Sequence, residues 1–110
     1  MAAKYVLKKT ANGQFKFDLH AGNGEPILAS ESYVAKQSAE NGIASVQKNS
    51  PDEDQYERKT ASNGQAYFVL KATNGQVIGT SEMYSSTQAR DNGIESVKKN
   101  GPTTDVKDET

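Results

Sequence analysis

Apolar and polar positions alternate strictly along residues 15–19, where Phe15, Phe17 and Leu19 are separated by Lys16 and Asp18. A period of two marks a strand with one buried face. The alternation returns at Ala66, Phe68 and Leu70, with Tyr67 and Val69 between them. Asn-Gly pairs flank both runs: Asn12-Gly13 and Asn23-Gly24 around the first, Asn63-Gly64 and Asn74-Gly75 around the second. Asn-Gly between alternating runs signals a tight turn, because both residues tolerate positive φ. The pattern predicts strands over 4–9, 14–21 and 26–31, and again over 55–60, 65–72 and 77–82.

After each third strand the period lengthens. Ala39, Ile43 and Val46, matched by Ile94 and Val97, fall at helical spacing and predict helices over 35–49 and 86–100. Ser85-x-x-Gln88 resembles a capping box, and Lys48 and Lys99 suit a last helical turn. Asn49 and Asn100 suit a C-terminal cap before Pro51 and Pro102. Gly42 and Gly93 lie inside these helices, where each costs ~1 kcal/mol relative to Ala. The expected reason is close approach of helix to sheet. Backbone contact with a ligand is disfavoured, because both glycines sit mid-helix rather than at an N-terminus.

The two halves are copies. A shift of 51 residues aligns 5–51 with 56–102 without a gap, and 23 of these 47 positions are identical. A unit this short buries too little to be stable alone, since even ~60-residue domains are marginal. The expectation is an α+β fold made by tandem duplication of a β-β-β-α unit. It forms one antiparallel sheet with both helices on one face and the other face open, related by a pseudo-two-fold. Repeats at 4–51 and 55–102, an acidic linker at 52–54 and a tail at 103–110 then make one domain, expected as a monomer.

Charge changes this picture little. Of the formal −1, each repeat contributes +2, from six Lys or Arg against four acids; Asp52-Glu53-Asp54 contributes −3 and the tail −2. Repeats of +2 are too weakly basic for the phosphate-neutralising patches of most nucleic-acid binders. With no cysteine, disulfides, thiolate metal sites and cysteine nucleophiles are excluded. No stretch has transmembrane length and the start of the chain has no apolar leader run, so a cytoplasmic protein without a membrane partner is expected.

The blocks Tyr5-x-Leu7-Lys8, Asn12-Gly13-Gln14-x-x-Phe17-x-Leu19, Ser30-Glu31-x-Tyr33 and Asn41-Gly42-Ile43-x-Ser45-Val46 resemble the YegP-like family of small bacterial proteins of unknown function. So do Tyr67-Phe68-Val69-Leu70-Lys71-Ala72, Ser81-Glu82-Met83-Tyr84 and Asn92-Gly93-Ile94 in the second half. The resemblance spans about residues 4–107. It implies that a further short strand after each helix exchanges between units, with Gln55–Lys59 serving both copies and Val106 on a terminal strand. It supplies no catalytic or cofactor residues. Departures at Phe15/Ala66 and Leu28/Gly79 concern packing.

Candidate chemistry is sparse. His20 is the single histidine and its counterpart is Lys71, so no imidazole pair exists for a metal, and no cofactor or metal is expected. The recurrent polar blocks are Ser30-Glu31-x-Tyr33 and Ser81-Glu82-x-Tyr84. Their hydroxyls, carboxylates and phenols would serve either a symmetric binding site or the strand-to-helix turn, and the turn is the favoured reading. On the open sheet face Lys16, Asp18 and His20 correspond to Tyr67, Val69 and Lys71, so the exposed face diverges while the buried face is kept. This predicts a non-catalytic interaction module with Tyr67 and Val69, flanked by Lys71, as its contact patch and a protein as the expected type of partner. The alternatives are a small enzyme using the Ser, Glu and Tyr residues, or weak single-stranded nucleic-acid binding through Lys16, Tyr67 and Lys71.

Overall fold

The structure is a computed structural model that describes residues 2–110. In each repeat two Asn-Gly turns fold three short strands into a meander. Gly13 and Gly64 take φ of 84° and 86°, a region open to glycine at little cost. The preceding asparagines lock the turns, as where Asn63 Oδ1 accepts from the Gln65 N–H at 3.0 Å. The strands are β1 (Lys4–Lys9), β2 (Phe15–His20) and β3 (Pro26–Ala29), then β4 (Tyr56–Thr60), β5 (Ala66–Lys71) and β6 (Val77–Thr80). Helix α1 (Lys36–Asn49) follows β3, α2 (Thr87–Asn100) follows β6, and β7 (Val106–Asp108) comes last.

These strands form one sheet in the order β4-β5-β6-β3-β2-β1-β7. The pseudo-dyad passes between the repeats at the antiparallel pair Ala29 and Thr80, positions that the 51-residue shift interchanges. Six strands are antiparallel as expected. The seventh makes the sheet mixed, because β7 runs parallel to β1 with Val6 opposite Lys107. The terminal strand at Val106 is present, and the second repeat thereby caps the first.

The exchange is one-sided. By the 51-residue shift β7 is the counterpart of the start of β4, yet β4 pairs with β5 and forms the other outer strand of the sheet. Gln55–Lys59 therefore does not serve both copies: one segment cannot be the first strand of its own repeat and also lie beside it. The chemistry of the two edges follows. Leu7 on β1 is buried beside β7, whereas its counterpart Arg58 is exposed and bonds Glu53 at 2.9 Å and Asp91 at 3.1 Å. Charged edge residues discourage pairing with further strands.

Both helices cover the face that carries Tyr5, Leu7, Phe17, Leu19, Phe68 and Leu70, and these join Ile43, Val46, Ile94 and Val97 in one cluster. Helix α1 touches β5 and β6 of the other repeat as well as β1 and β2, and α2 touches β3 as well as β5. The halves also clasp each other by hydrogen bonds. The Tyr5 hydroxyl donates to the Gly101 carbonyl at 2.6 Å, and the equivalent Tyr56 hydroxyl donates to the Ser50 carbonyl at 2.7 Å.

Helix ends depart in detail from expectation. Ser86, not Ser85, caps α2, its Oγ accepting from the Ala89 N–H at 3.1 Å, while α1 has no side-chain cap at Ala35. The C-caps are Ser50 and Gly101 rather than the asparagines. Asn49 and Asn100 instead turn back and donate to the Ser45 and Ser96 carbonyls, each at 2.8 Å.

Candidate functional site

The two Ser-Glu-x-Tyr blocks follow β3 and β6. Ser30 Oγ accepts from the Phe17 N–H at 2.9 Å and donates to the Glu31 carbonyl at 2.7 Å. Ser81 repeats this with Phe68 at 3.0 Å and the Glu82 carbonyl at 2.8 Å. Each hydroxyl thus occupies a backbone position where the sheet ladder ends, and both its donor and an acceptor lone pair are used. Tyr33 exchanges backbone hydrogen bonds with Phe15, and Tyr84 does so with Ala66. Their rings stack on Phe17 and Phe68, each with centroids 6.4 Å apart.

The mid-helix glycines belong to this arrangement. A Cβ at Gly42 would lie 2.8 Å from Tyr33 Oη, and one at Gly93 would collide with Tyr84 Oη. Each phenol slides under its helix where a side chain is missing, and the helix propensity lost at glycine makes that room. Partial burial, with a lesser effect from Glu31 or Glu82, raises both phenol pKa values.

The blocks do not converge. Tyr33 bridges to the start of β2 and Tyr84 to the start of β5, and the antiparallel β3-β6 pair places these strand starts at opposite ends of the sheet. Glu31 and Glu82 are exposed at those opposite ends. A surface hollow of about 430 Å³ is lined by Ala2, Lys4, Asp105, Val106 and Lys107, none of them from either block. Among the described residues no three His, Cys, Asp or Glu side chains come close enough together to hold a metal ion. His20 Nδ1 lies 3.1 Å from the Gly24 carbonyl oxygen of its own turn.

The helix-free sheet face is built differently. One cross-strand row runs Glu57, Val69, Thr80, Ala29, Asp18, Val6, Lys107 across all seven strands. Its middle is closed over: Val6, Asp18 and Val69 are each under 10% exposed, so Asp18 and Val69, expected to be exposed, are covered by the longer side chains beside them and Val69 drops out of the contact patch. Lysines on either side do the covering. Lys8 reaches Asp18 at 2.8 Å, and Lys71 reaches Glu57 at 2.5 Å. Lys16 faces Lys8 directly across the β1-β2 pair, and Tyr67 faces Lys59 across β4-β5. Lys16, Tyr67 and Lys71 are half-buried on this face as the alternation predicts. Lys4, Lys8, Lys59 and Lys107 join them; the period of two already puts the first three here, whereas Lys107 arrives through the unforeseen parallel pairing.

The domain of unknown function DUF1508 matches twice, at residues 11–57 and 61–108. UPF0339 protein YegP of Escherichia coli K12 is 58% identical over the full length of both chains. A UPF0339 protein of Acinetobacter baylyi is 61% identical over 100% of this chain and 99% of its own. Among solved structures, the solution NMR structure of E. coli YegP, a protein of unknown function, superposes with TM-score 0.94 at 58% identity, covering 100% of this chain and 95% of that one. That of a UPF0339 protein from Shewanella oneidensis gives 0.92 at 60% identity, covering 98% and 92%. With the repeat, the fold and full-length relatives in agreement, the chain belongs to the DUF1508, YegP-like family of tandem-repeat UPF0339 proteins.

Proposed function

We propose that this protein is a non-catalytic interaction module that works as a monomer in the cytoplasm and meets a protein partner through the helix-free face of its sheet. The observation that supports the reading is the contrast between the two faces across the repeats. Phe17/Phe68 and Leu19/Leu70 are unchanged on the packed face, while Lys16, Asp18 and His20 become Tyr67, Val69 and Lys71 on the open one. Along these middle strands the packed positions 17/68 and 19/70 are held while all three open-face positions differ. The enzyme alternative loses support from geometry: both serine hydroxyls are spent on backbone groups, and the two blocks stand at opposite ends of the sheet. A pocket with converging polar groups is what catalysis would require.

The test is affinity capture from a lysate of the native organism with wild type, Tyr67→Ala and Glu31→Gln/Glu82→Gln. The reading expects a defined protein that Tyr67→Ala loses and the double carboxylate variant keeps. A saturable enzymatic activity that the carboxylate variant abolishes without unfolding would sink it.

A further inference from the structure

The helix-free face is electrically distinct from the rest of the molecule. Lys4, Lys8, Lys16, Lys59, Lys71 and Lys107 stand on it with Asp18, Glu57, Asp105 and Glu109, a balance of +2. The remaining seven Lys or Arg and ten Asp or Glu leave −3 elsewhere, which restores the total of −1. The cations are not equivalent. Lys59 and Lys71 both lean on Glu57 at 3.7 and 2.5 Å, Lys8 on Asp18 at 2.8 Å and Lys107 on Glu109 at 3.2 Å. Among the described residues Lys4 and Lys16 have no carboxylate partner within 4.0 Å. The uncommitted charge therefore lies on the wing formed by β7, β1 and β2.

One pairing on this wing is only partly compensated within the fold: Lys8 has Asp18 at 2.8 Å, while Lys16 has no carboxylate within 4.0 Å among the described residues. Lys8 and Lys16 are direct cross-strand neighbours on the same face, and like charges in that relationship destabilise a sheet. In the second repeat the same pair is Lys59 and Tyr67, so the duplicated scaffold does not need two lysines there. A local choice that conflicts with the fold points to a demand from outside it.

Resting on the interaction-module reading above, we infer that Lys4, Lys8 and Lys16 form a docking site for an acidic polypeptide segment of a partner protein. Lys4 and Lys8 sit four residues apart on one strand, about 13 Å at ~3.3 Å per residue, so the complementary charges must be spread along a chain. Single-stranded nucleic acid fits less well. It needs stacking platforms beside its phosphate contacts, and this face offers one half-buried phenol, Tyr67, two strands beyond the dyad from the cationic wing.

The experiment measures fluorescence anisotropy of a labelled oligoglutamate peptide against wild type, Lys16→Glu and, as a control on the helical side, Lys48→Glu. An oligothymidylate of equal charge is run in parallel. Lys16→Glu replaces the repulsive pair with an attractive one, so its Tm is expected to stay level or rise while peptide affinity falls about tenfold. Lys48→Glu is expected to change affinity less than twofold. The inference is overturned by absence of peptide binding at low ionic strength, by an equal loss in Lys48→Glu, by tighter binding of the oligothymidylate, or by a drop in Tm that accounts for the weakened binding. Capture that depends on Tyr67 but not on Lys16 overturns the acidic-segment site alone and leaves the interaction-module reading standing.

Discussion

The side chain of Leu28 occupies the space that Gly79 leaves open: a Cβ on Gly79 would come within 2.6 Å of Leu28 Cδ2. These positions are counterparts in the two repeats, and both lie next to the pseudo-dyad on the helix-covered face. A residue near a two-fold axis meets its own copy, so two leucines would compete for one volume. The same logic joins Ser50 to Gly101, where a Cβ on the glycine would meet Ser50 Oγ.

Restoring the symmetry should therefore harm the protein. Gly79→Leu is expected to lower stability by about 2–3 kcal/mol through overpacking. Adding Leu28→Gly should recover part of that loss, giving a coupling of more than about 1 kcal/mol in a double-mutant cycle. Urea denaturation of the four proteins measures it, and additive effects would show that the two residues do not share the space.

At the two helical glycines the usual effect of alanine should change sign. An exposed mid-helix Gly→Ala gains ~1 kcal/mol. Here the new methyl would meet Tyr33 Oη at 2.8 Å and Phe17 Cε2 at 2.9 Å at position 42, and Tyr84 Oη at position 93. Gly42→Ala and Gly93→Ala are each expected to destabilise by about 1–3 kcal/mol in thermal or urea unfolding.

Tyr5 and Tyr56 make stability fall in alkali. Burial, the leading cause at both, raises their hydroxyl pKa far above the ordinary tyrosine value. A group whose folded pKa is raised contributes stability that is complete below its unfolded pKa and is lost as pH climbs from there toward the folded value, so the loss should begin near pH ~10. Ultraviolet difference spectroscopy should show these two phenols ionising only together with unfolding. Tyr5→Phe and Tyr56→Phe should each cost about 1 kcal/mol at neutral pH, by removing the bonds to the Gly101 and Ser50 carbonyls.

Acid should loosen the cap on β1. Hydrogen bonds from Lys36, and then from Thr110, hold Asp108 well below the usual carboxylate range. A depressed folded pKa contributes stability above the unfolded value, near pH ~4, and that contribution disappears as pH falls further. Protection of the Glu109 amide, whose N–H donates to the Leu7 carbonyl at 2.7 Å, should fall relative to its intrinsic exchange rate below that pH before the core opens. Asp108→Asn should show the lower protection already at neutral pH.

The halves should not survive separation. α1 rests on strands of both repeats, and Tyr56 and Tyr5 reach across to the opposite helix ends. Residues 1–51 alone are expected to show no cooperative melt as a monomer, and a fragment that melts with the intact protein would contradict the shared interior.

Local signals in the chain determined the elements. Asn-Gly turns and the two- and 3.6-residue periods are short-range physics, so six strands and both helices could be placed within a few residues, and the repeat itself required a common core. They also sorted Lys16, Tyr67 and Lys71 onto the open face, because a strand's period alone decides which side a residue takes. Only the tertiary structure decided how the copies differ in use. Which edge β7 caps, why Leu28 faces Gly79, and that the serines and tyrosines serve backbone and helix rather than one another all depend on contacts between residues far apart in the chain. A two-fold axis enforces such differences: identical units meeting across it, with one tail for two edges, cannot all keep identical surroundings.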